Sequence, residues 1–396
     1  MTEDKDKAEI SDKTSISDVR PPKVLLLYAS AGAGHRSACS AIQQAMQELY
    51  PGAYVKLIDI LDYMPKSIAY LYSRGYLFIA SRYPMLWYFI YESGSDLAKF
   101  RPNGFWHRLF WKSALGPLFN HLRYERPDHI ISAHFLSSWA AGIYKWKYDI
   151  NCTASMVVTD YGVHPVWITP GQDYVFVATE QLGAELAPFS RFLGTDRIIP
   201  TGIPVHPSFG RRKDIGMLKE KFKIEPDRHT ILILGGMFGS KNIKDILYWL
   251  SECRARLQLI IVAGRHYPIM ESIKDRLIER DIKYQIFGYI DFMDELMAVS
   301  DLAITKAGAL TTSECLARGL PLVIFRPYPG QEVRNCDYFL EQGVAVRVDQ
   351  LSGICFKIDK ILDDPDRLRA MKERALQIAR PDSAHKISRI LLDLAR

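Results

Sequence analysis

The sequence predicts an α/β protein made of two doubly wound domains. Three observations carry that expectation. The chain has 396 residues, more than one ordinary core organises. Apolar runs of strand length alternate with helical segments along most of it. Each half also opens with the same device, a strand running into a glycine-rich turn and then a helix. In the first half Val24 to Tyr28 leads into Ser30-Ala31-Gly32-Ala33-Gly34-His35, and in the second Thr230 to Leu234 leads into Gly235-Gly236-Met237-Phe238-Gly239-Ser240.

In order along the chain, residues 1–20 are polar, charged and Ser/Thr-rich, the composition of a disordered tail that Pro21-Pro22 ends. In the first domain, 21–206, strands are expected at Val24 to Tyr28, Val55 to Ile58, His129 to Ser132, Ser155 to Thr159, Tyr174 to Ala178 and Arg197 to Pro200. The first helix is expected from about Ser37 to Tyr50. The charged stretch 207–229 holds no apolar strand, which makes it the expected hinge. In the second domain, 230–375, strands are expected at Thr230 to Leu234, Leu257 to Ala263, Tyr284 to Phe287, Leu302 to Thr305 and Leu322 to Phe325. A last helix from about Asp366 is expected to cross back to the first domain over 376–396.

The charge is +6 overall, and the first twenty residues, with six acids and four bases, contribute −2. The remaining chain therefore carries +8, which suits an anionic partner: nucleotide, nucleic acid or acidic membrane. Six scattered cysteines without a CxxC pair read as reduced thiols of a cytoplasmic protein. No signal peptide is evident, and no uncharged apolar run reaches the roughly 20 residues of a spanning helix.

The densest cluster of chemistry lies between Asp301 and Asn335. There a strand, the Gly308 turn, a helix, a second strand and a polar loop follow one another. The helix N-terminus suits an anionic group. Thr311-Thr312-Ser313-Glu314 has the spacing of a capping box, with Gly319 at C′. Glu314 is thus either a cap or a carboxylate for ribose hydroxyls. Gln331, Glu332 and Asn335 in the following loop can hydrogen-bond several sugar hydroxyls at once. In the first half, His35 ends the glycine loop at a strand's C-terminal edge, where open sheets bind ligands. It is either a structural hydrogen-bonder or a catalyst. His134, Asp160 and His164 follow later strands; Asp160 and His164 are two ligands at most, so no metal site is assigned.

Residues 63–112 break the α/β rhythm with fifteen aromatics and seven bases against two acids. A buried helical insertion explains the aromatics. The basic excess points instead to a membrane surface, with Arg74, Arg82, Trp87 and Trp106 as contacts. Arg74, Arg82 and Pro84 interrupt the apolar stretch, so it should lie on a bilayer rather than cross it.

The segments SAGAGHRSA (30–38), VVTDYGVHPVWITPGQDYVFVATE (157–180), TGIPV (201–205), FGYIDFMDELMAVSDLAITK (287–306) and KAGALTTSECLARGLPLVIFRPYPGQEVRN (306–335) together resemble family 28 glycosyltransferases. The resemblance is to monogalactosyldiacylglycerol synthases and processive diacylglycerol glucosyltransferases. It implies a GT-B fold, two Rossmann-like domains facing a central cleft. It also implies inverting transfer of a hexose from UDP-glucose or UDP-galactose to diacylglycerol or a related lipid, with no cofactor and no essential metal. The enzyme would sit at the inner, anionic face of the cell membrane, with no nucleic-acid partner. By the same resemblance His35 is the general base, with Asp160 next in line. Gly235, Gly236, Gly239, Phe287, Gly288, Tyr289, Ala309, Leu310, Thr311, Thr312 and Glu314 bind the nucleotide. Gly308, Gln331, Glu332 and Asn335 bind the donor sugar, and Gly34, His134 and His164 lie on the acceptor side. Met237, Phe135 and Arg36-Ser37 depart from the family pattern. The alternatives are N-acetylglucosamine transfer to a polyprenyl-linked intermediate, an epimerase on the same fold, and a non-catalytic nucleotide-sugar-binding protein.

Overall fold

The computed structural model describes residues 21–30, 32–75, 78–79, 82–83, 85–86, 88–89, 105–190, 195–238, 240–264 and 274–394. Strand sequences such as VLLL, HIIS, LQLIIV and LVIF are apolar on both faces, which suits central strands covered by helices on each side. Six of them form the first sheet: β1 (Lys23–Tyr28), β2 (Tyr54–Asp59), β3 (His129–Ser132), β4 (Thr153–Val157), β5 (Tyr174–Val177) and β6 (Ile198–Pro200). They are all parallel, in the order β2-β1-β3-β4-β5-β6. The second sheet holds β7 (His229–Leu234), β8 (Leu257–Val262), β9 (Lys283–Phe287), β10 (Leu302–Thr305), β11 (Leu322–Phe325) and β12 (Ala345–Val348). It too is parallel, in the order β12-β11-β10-β7-β8-β9.

The helices of the first half are α1 (Ala33–Leu49), α2 (Lys66–Tyr70), α3 (Phe105–Glu125), α4 (Phe135–Tyr148) and α5 (Glu180–Leu186). A short α6 (Ile215–Lys221) lies in the connection between the sheets. The second half carries α7 (Ser240–Leu250), α8 (Lys274–Glu279), α9 (Met293–Ala298), α10 (Ala309–Ala317), α11 (Gln331–Glu341), α12 (Ile354–Leu362), α13 (Pro365–Ile378) and α14 (Ser383–Asp393). On one face of the first sheet, β1, β3 and β4 pack against α3 and α4 through Leu115, Phe119, Leu122 and Tyr144. On the other face, Ile42 and Met46 of α1 meet Ile387 and Leu391 of α14.

Four expectations need correction. Helix α1 begins at Ala33, behind an extended Gly32, so Gly34 and His35 lie in its first turn rather than in a loop before it. The closing helix is two helices. Its first part ends at Ile378, Ala379 turns extended, Pro381 follows, and α14 alone reaches the first domain. Strand β12 is absent from the sequence reading because Ala345-Val346-Arg347-Val348 is short, carries a charge and lies at the sheet edge. The polar loop after β11 is cut short, since Gln331 already opens α11.

Each strand order reverses once. The reversal falls between β1 and β3 in the first sheet and between β7 and β10 in the second. Ligands of open α/β sheets bind at such points, outside the C-terminal ends of the strands. Gly34 and His35 follow β1, Ala133 and His134 follow β3, Gly235 and Gly236 follow β7, and Gly308 follows β10.

Candidate active site

At the first switch point His35 ties two strand ends together. Its Nδ1 lies 2.7 Å from the Ala133 carbonyl and 3.2 Å from Thr159 Oγ1. A carbonyl only accepts, so Nδ1 carries the proton and Nε2 keeps the lone pair. Burial pushes the imidazole pKa down to about 4, and the ring is neutral at physiological pH. The His134 ring meets it edge-on at 4.7 Å. His134 and His164 are themselves buried caps. Their Nδ1 atoms accept from the backbone N–H of Leu136 and Val166 at 3.1 Å each. Both therefore help to shape the strand ends, and His134 braces His35.

At the second switch point α10 starts at Ala309 behind Gly308, and no side chain caps it. The expected capping box does not form. Thr311 and Thr312 lie inside the helix, the Thr312 hydroxyl donates to the Gly308 and Ala309 carbonyls, and Ser313 donates to Ala309 O. Thr312 is therefore closed to a nucleotide through its side chain. The first N–H groups of the helix, on Ala309, Leu310 and Thr311, remain for an anion. At the other end the Leu320 N–H closes onto Cys315 O, with Gly319 at φ +62°, the C-terminal stop that the sequence indicates. Glu314 is half-buried, and burial, with the Asp294 carboxylate adding, raises its pKa to about 8.

The remaining nucleotide candidates divide. A Cβ at Gly235 would lie 2.8 Å from Ile243 Cδ1, whereas Gly236 faces open space. Gly264 and the exposed Tyr289 ring stand beside that turn, with Gly288 next to Tyr289 in the chain. The Phe287 ring packs edge-on against Phe222 and Phe292, so that side chain belongs to the core. Gly239 lies outside the described residues.

Between the two switch points runs a polar seam. Asn335 Oδ1 accepts from the Tyr161 N–H at 2.8 Å, and its Nδ2 donates to Asp160 Oδ1 at 3.2 Å and to Ala307 O at 3.1 Å. Both polar atoms of its side chain are engaged here, so Asn335 joins the halves. Tyr161 stacks on Tyr338 at 4.8 Å and reaches Ser313 Oγ at 2.8 Å, and Arg334 donates to Val163 O. Burial raises the Asp160 pKa to about 7, with the Asn335 hydrogen bond opposing it. Glu332 is buried and accepts from the Tyr328 N–H at 2.8 Å. Gln331 begins α11 beside it, behind Gly330 at φ +93°. Gly34 closes the gap from the other side: a Cβ there would meet Leu310 Cβ at 3.9 Å. Sequence reasoning missed Tyr161, Arg334 and Lys306 as site groups. A lysine directly after an apolar strand was the one available signal, because lysine is seldom fully buried.

Among the described residues no three His, Cys, Asp or Glu side chains are placed to hold a metal ion. Of the expected membrane contacts, Arg82 is exposed. Trp87 and the side chains of Arg74 and Trp106 lie outside the described residues. Leu71, Phe78, Met85 and Phe89 around Arg82 are each at least 60% exposed, an apolar surface among the described residues.

Two doubly wound domains with apposed switch points are the GT-B architecture. Solved structures share it, among them MurG of Acinetobacter baumannii (TM-score 0.63, 15% identity, 94% of this chain and 100% of that one). Another is the UDP-GlcNAc 2-epimerase of Neisseria meningitidis bound to UDP-GlcNAc (TM-score 0.60, 15% identity, 94% and 100%). A third is Anabaena HepE with UDP-glucose (TM-score 0.54, 11% identity, 94% and 99%). Residues 35–205 match the monogalactosyldiacylglycerol (MGDG) synthase family, and residues 230–387 match the glycosyltransferase family 28 C-terminal domain. The chain belongs to the family 28 glycosyltransferases of the monogalactosyldiacylglycerol synthase type. The processive diacylglycerol beta-glucosyltransferase of Bacillus mycoides is 27% identical over 387 residues, 95% of each chain. That of Bacillus cytotoxicus is 27% identical over 386 residues, 95% of this chain and 94% of its own.

The His35 geometry has a direct readout. Nitrogen-resolved NMR should show an Nδ1-protonated, neutral ring that titrates only near pH 4. Titration near the ordinary value of about 6.5 would mean that the ring is not held in this buried contact.

Proposed function

We propose that this glycosyltransferase moves a hexose from UDP-glucose or UDP-galactose to diacylglycerol or a related membrane lipid, inverting the anomeric carbon. One observation carries the reading. A neutral imidazole with a free Nε2 stands at one switch point, and the uncapped start of α10 abuts it from the other. The names of the relatives support a diacylglycerol acceptor, and the UDP-sugar complexes of proteins with this fold support the donor class.

In this mechanism Nε2 of His35 takes the proton of the acceptor hydroxyl as that oxygen attacks the anomeric carbon. The bond to UDP breaks on the opposite face. The N–H groups of Ala309, Leu310 and Thr311, with the Gly235–Gly236 turn, receive the charge of the departing diphosphate. Glu314 accepts from the ribose hydroxyls, and Gln331 and Glu332 hold the hexose. No step calls for a metal ion or other cofactor.

The decisive test incubates the protein with each UDP-sugar and diacylglycerol vesicles and reads the lipid by mass spectrometry. A glycosylated lipid and free UDP are expected. A UDP-sugar epimer would make the protein an epimerase, and no turnover would make it a binding protein. His35→Ala should lower kcat by roughly 10²- to 10⁴-fold while UDP binding holds. With His35 as base, kcat is already level well below neutral pH. A rise centred near pH 7 would transfer the role to Asp160.

Glu314 makes UDP binding pH-dependent. Its raised pKa means that the carboxyl is protonated below about 8, and the ionised form is the better acceptor for ribose. UDP affinity should therefore climb as pH rises through about 8 and then level. In Glu314→Gln the affinity should be weaker by about 1.5 to 3 kcal/mol at high pH and flat across the range. A Gln variant with wild-type affinity above pH 8 would return Glu314 to a structural role.

Membrane docking through residues 63–112 completes the proposal. Among the described residues no helix is long and apolar enough to cross a bilayer. The exposed Leu71, Phe78, Met85 and Phe89, with a regional excess of five bases, suit shallow insertion into an anionic leaflet. Flotation should favour anionic over neutral vesicles and weaken with salt, and changing these four residues to Ser should abolish it. Equal flotation of variant and wild type would remove this region from the membrane contact.

A further inference from the structure

Lys306 is a buried ammonium that the mechanism above does not use. It follows β10 directly, is 5% exposed, and sits three residues before the start of α10. Its Nζ donates to the Arg326 carbonyl at 2.7 Å and lies 3.9 Å from the centre of the Tyr328 ring. Both contacts suit a cation. The turn that it touches is unusual. Arg326 holds φ +43°, a left-handed conformation that a non-glycine side chain disfavours, and Gly330 at φ +93° ends the same turn. The Tyr328 N–H is the donor that fixes Glu332. One ammonium therefore braces both the strained carbonyl and the ring of the residue that orients Glu332.

The charges around Glu332 point the same way. Burial raises its pKa, and Lys306 is the cation that lowers it again. On the first domain Asp160 faces it with like charge, and Tyr328 and Cys336 are the other titratable neighbours. Burial works against the Lys306 charge, Arg326 adds to that, and Glu332 supports it. Each buried charge thus offsets part of the burial cost of the other. An ionised carboxylate is an acceptor alone, with room beyond the Tyr328 N–H for further donors.

We propose that Lys306 is the positioning residue for the donor hexose, holding Glu332 as an oriented carboxylate for sugar hydroxyls through the Arg326–Gly330 turn. The inference rests on the UDP-sugar reading above and adds one claim to it. Lys306 sets the affinity for the sugar and leaves that for the nucleotide alone, because its hydrogen bond and its ring contact are both made to the Arg326–Gly330 turn.

The test is calorimetric titration of the full-length protein with UDP, UDP-glucose and UDP-galactose. The variants are Lys306→Met, Lys306→Arg, Glu332→Gln and the Met/Gln double variant. For the preferred UDP-sugar, Lys306→Met should weaken binding roughly ten- to a hundredfold, the worth of one or two charge-assisted hydrogen bonds. UDP affinity should stay within about twofold, a change too small to count as a lost hydrogen bond. Lys306→Arg should recover part of the loss, and the double variant should be no worse than the weaker single one, because both act on one carboxylate. Equal loss of UDP and UDP-sugar in Lys306→Met, or additive losses in the double variant, would overturn the inference and leave the UDP-sugar reading standing. A wild type that binds neither UDP nor UDP-sugar would overturn that reading itself. Should Lys306→Met not fold, Glu332→Gln decides: an undiminished preference for UDP-sugar over UDP would overturn the inference.

Discussion

The site exists because Asn335 holds two sheets at one fixed spacing. One side chain satisfies the Tyr161 N–H, the Asp160 carboxyl and the Ala307 carbonyl across the seam. Buried polar groups are costly unless matched, so this contact has one good geometry and penalises its neighbours. The Tyr161 ring, seated between Tyr338 and Phe339, adds apolar area to the same junction. A Cβ at Gly162 would come within 2.4 Å of Arg334 Cβ, so the backbones meet there with no room for a side chain. His35 and the start of α10 face each other because this junction sets their separation.

The electrostatics of the cleft follow from that closeness. Asp160, Glu314 and Glu332 are all pushed above ordinary carboxylate values by burial, and His35 and His134 are pushed down. With Asp160 and Glu314 partly protonated near neutral pH, the cleft repels a diphosphate less than one whose acids are all charged. The helix starts at Ala33 and Ala309 then supply the attraction without adding a mobile cation.

Most of the fold was legible because parallel strands are buried on both faces and leave uninterrupted apolar runs. The central strands stand out in this way, whereas β12 is hidden, since Ala345-Val346-Arg347-Val348 is only four residues long and Arg347 breaks its apolar run. The glycine turns mark both switch points. The Thr-Thr-Ser-Glu spacing misleads, because the same hydroxyls satisfy carbonyls one turn back when the helix starts earlier, at Ala309. Asn335 and Tyr161 are 174 residues apart, and no local pattern shows which polar side chains meet across two domains. The caps at His134 and His164 are hidden for a related reason: histidine at a strand end has the same appearance whether it faces substrate or its own backbone.

Helix α14 gives the chain an unusual order of assembly. Ile387 and Leu391 complete the core beneath α1, the helix that carries His35, although they follow the whole second domain in the chain. The N-terminal domain therefore leaves the ribosome with one flank of its core open and stays so until the C-terminal domain has been made. Deleting the final dozen residues would strip cover from the catalytic helix while leaving every candidate site residue in the sequence. The core of the first half is thus shared with a helix that follows the second half in the chain.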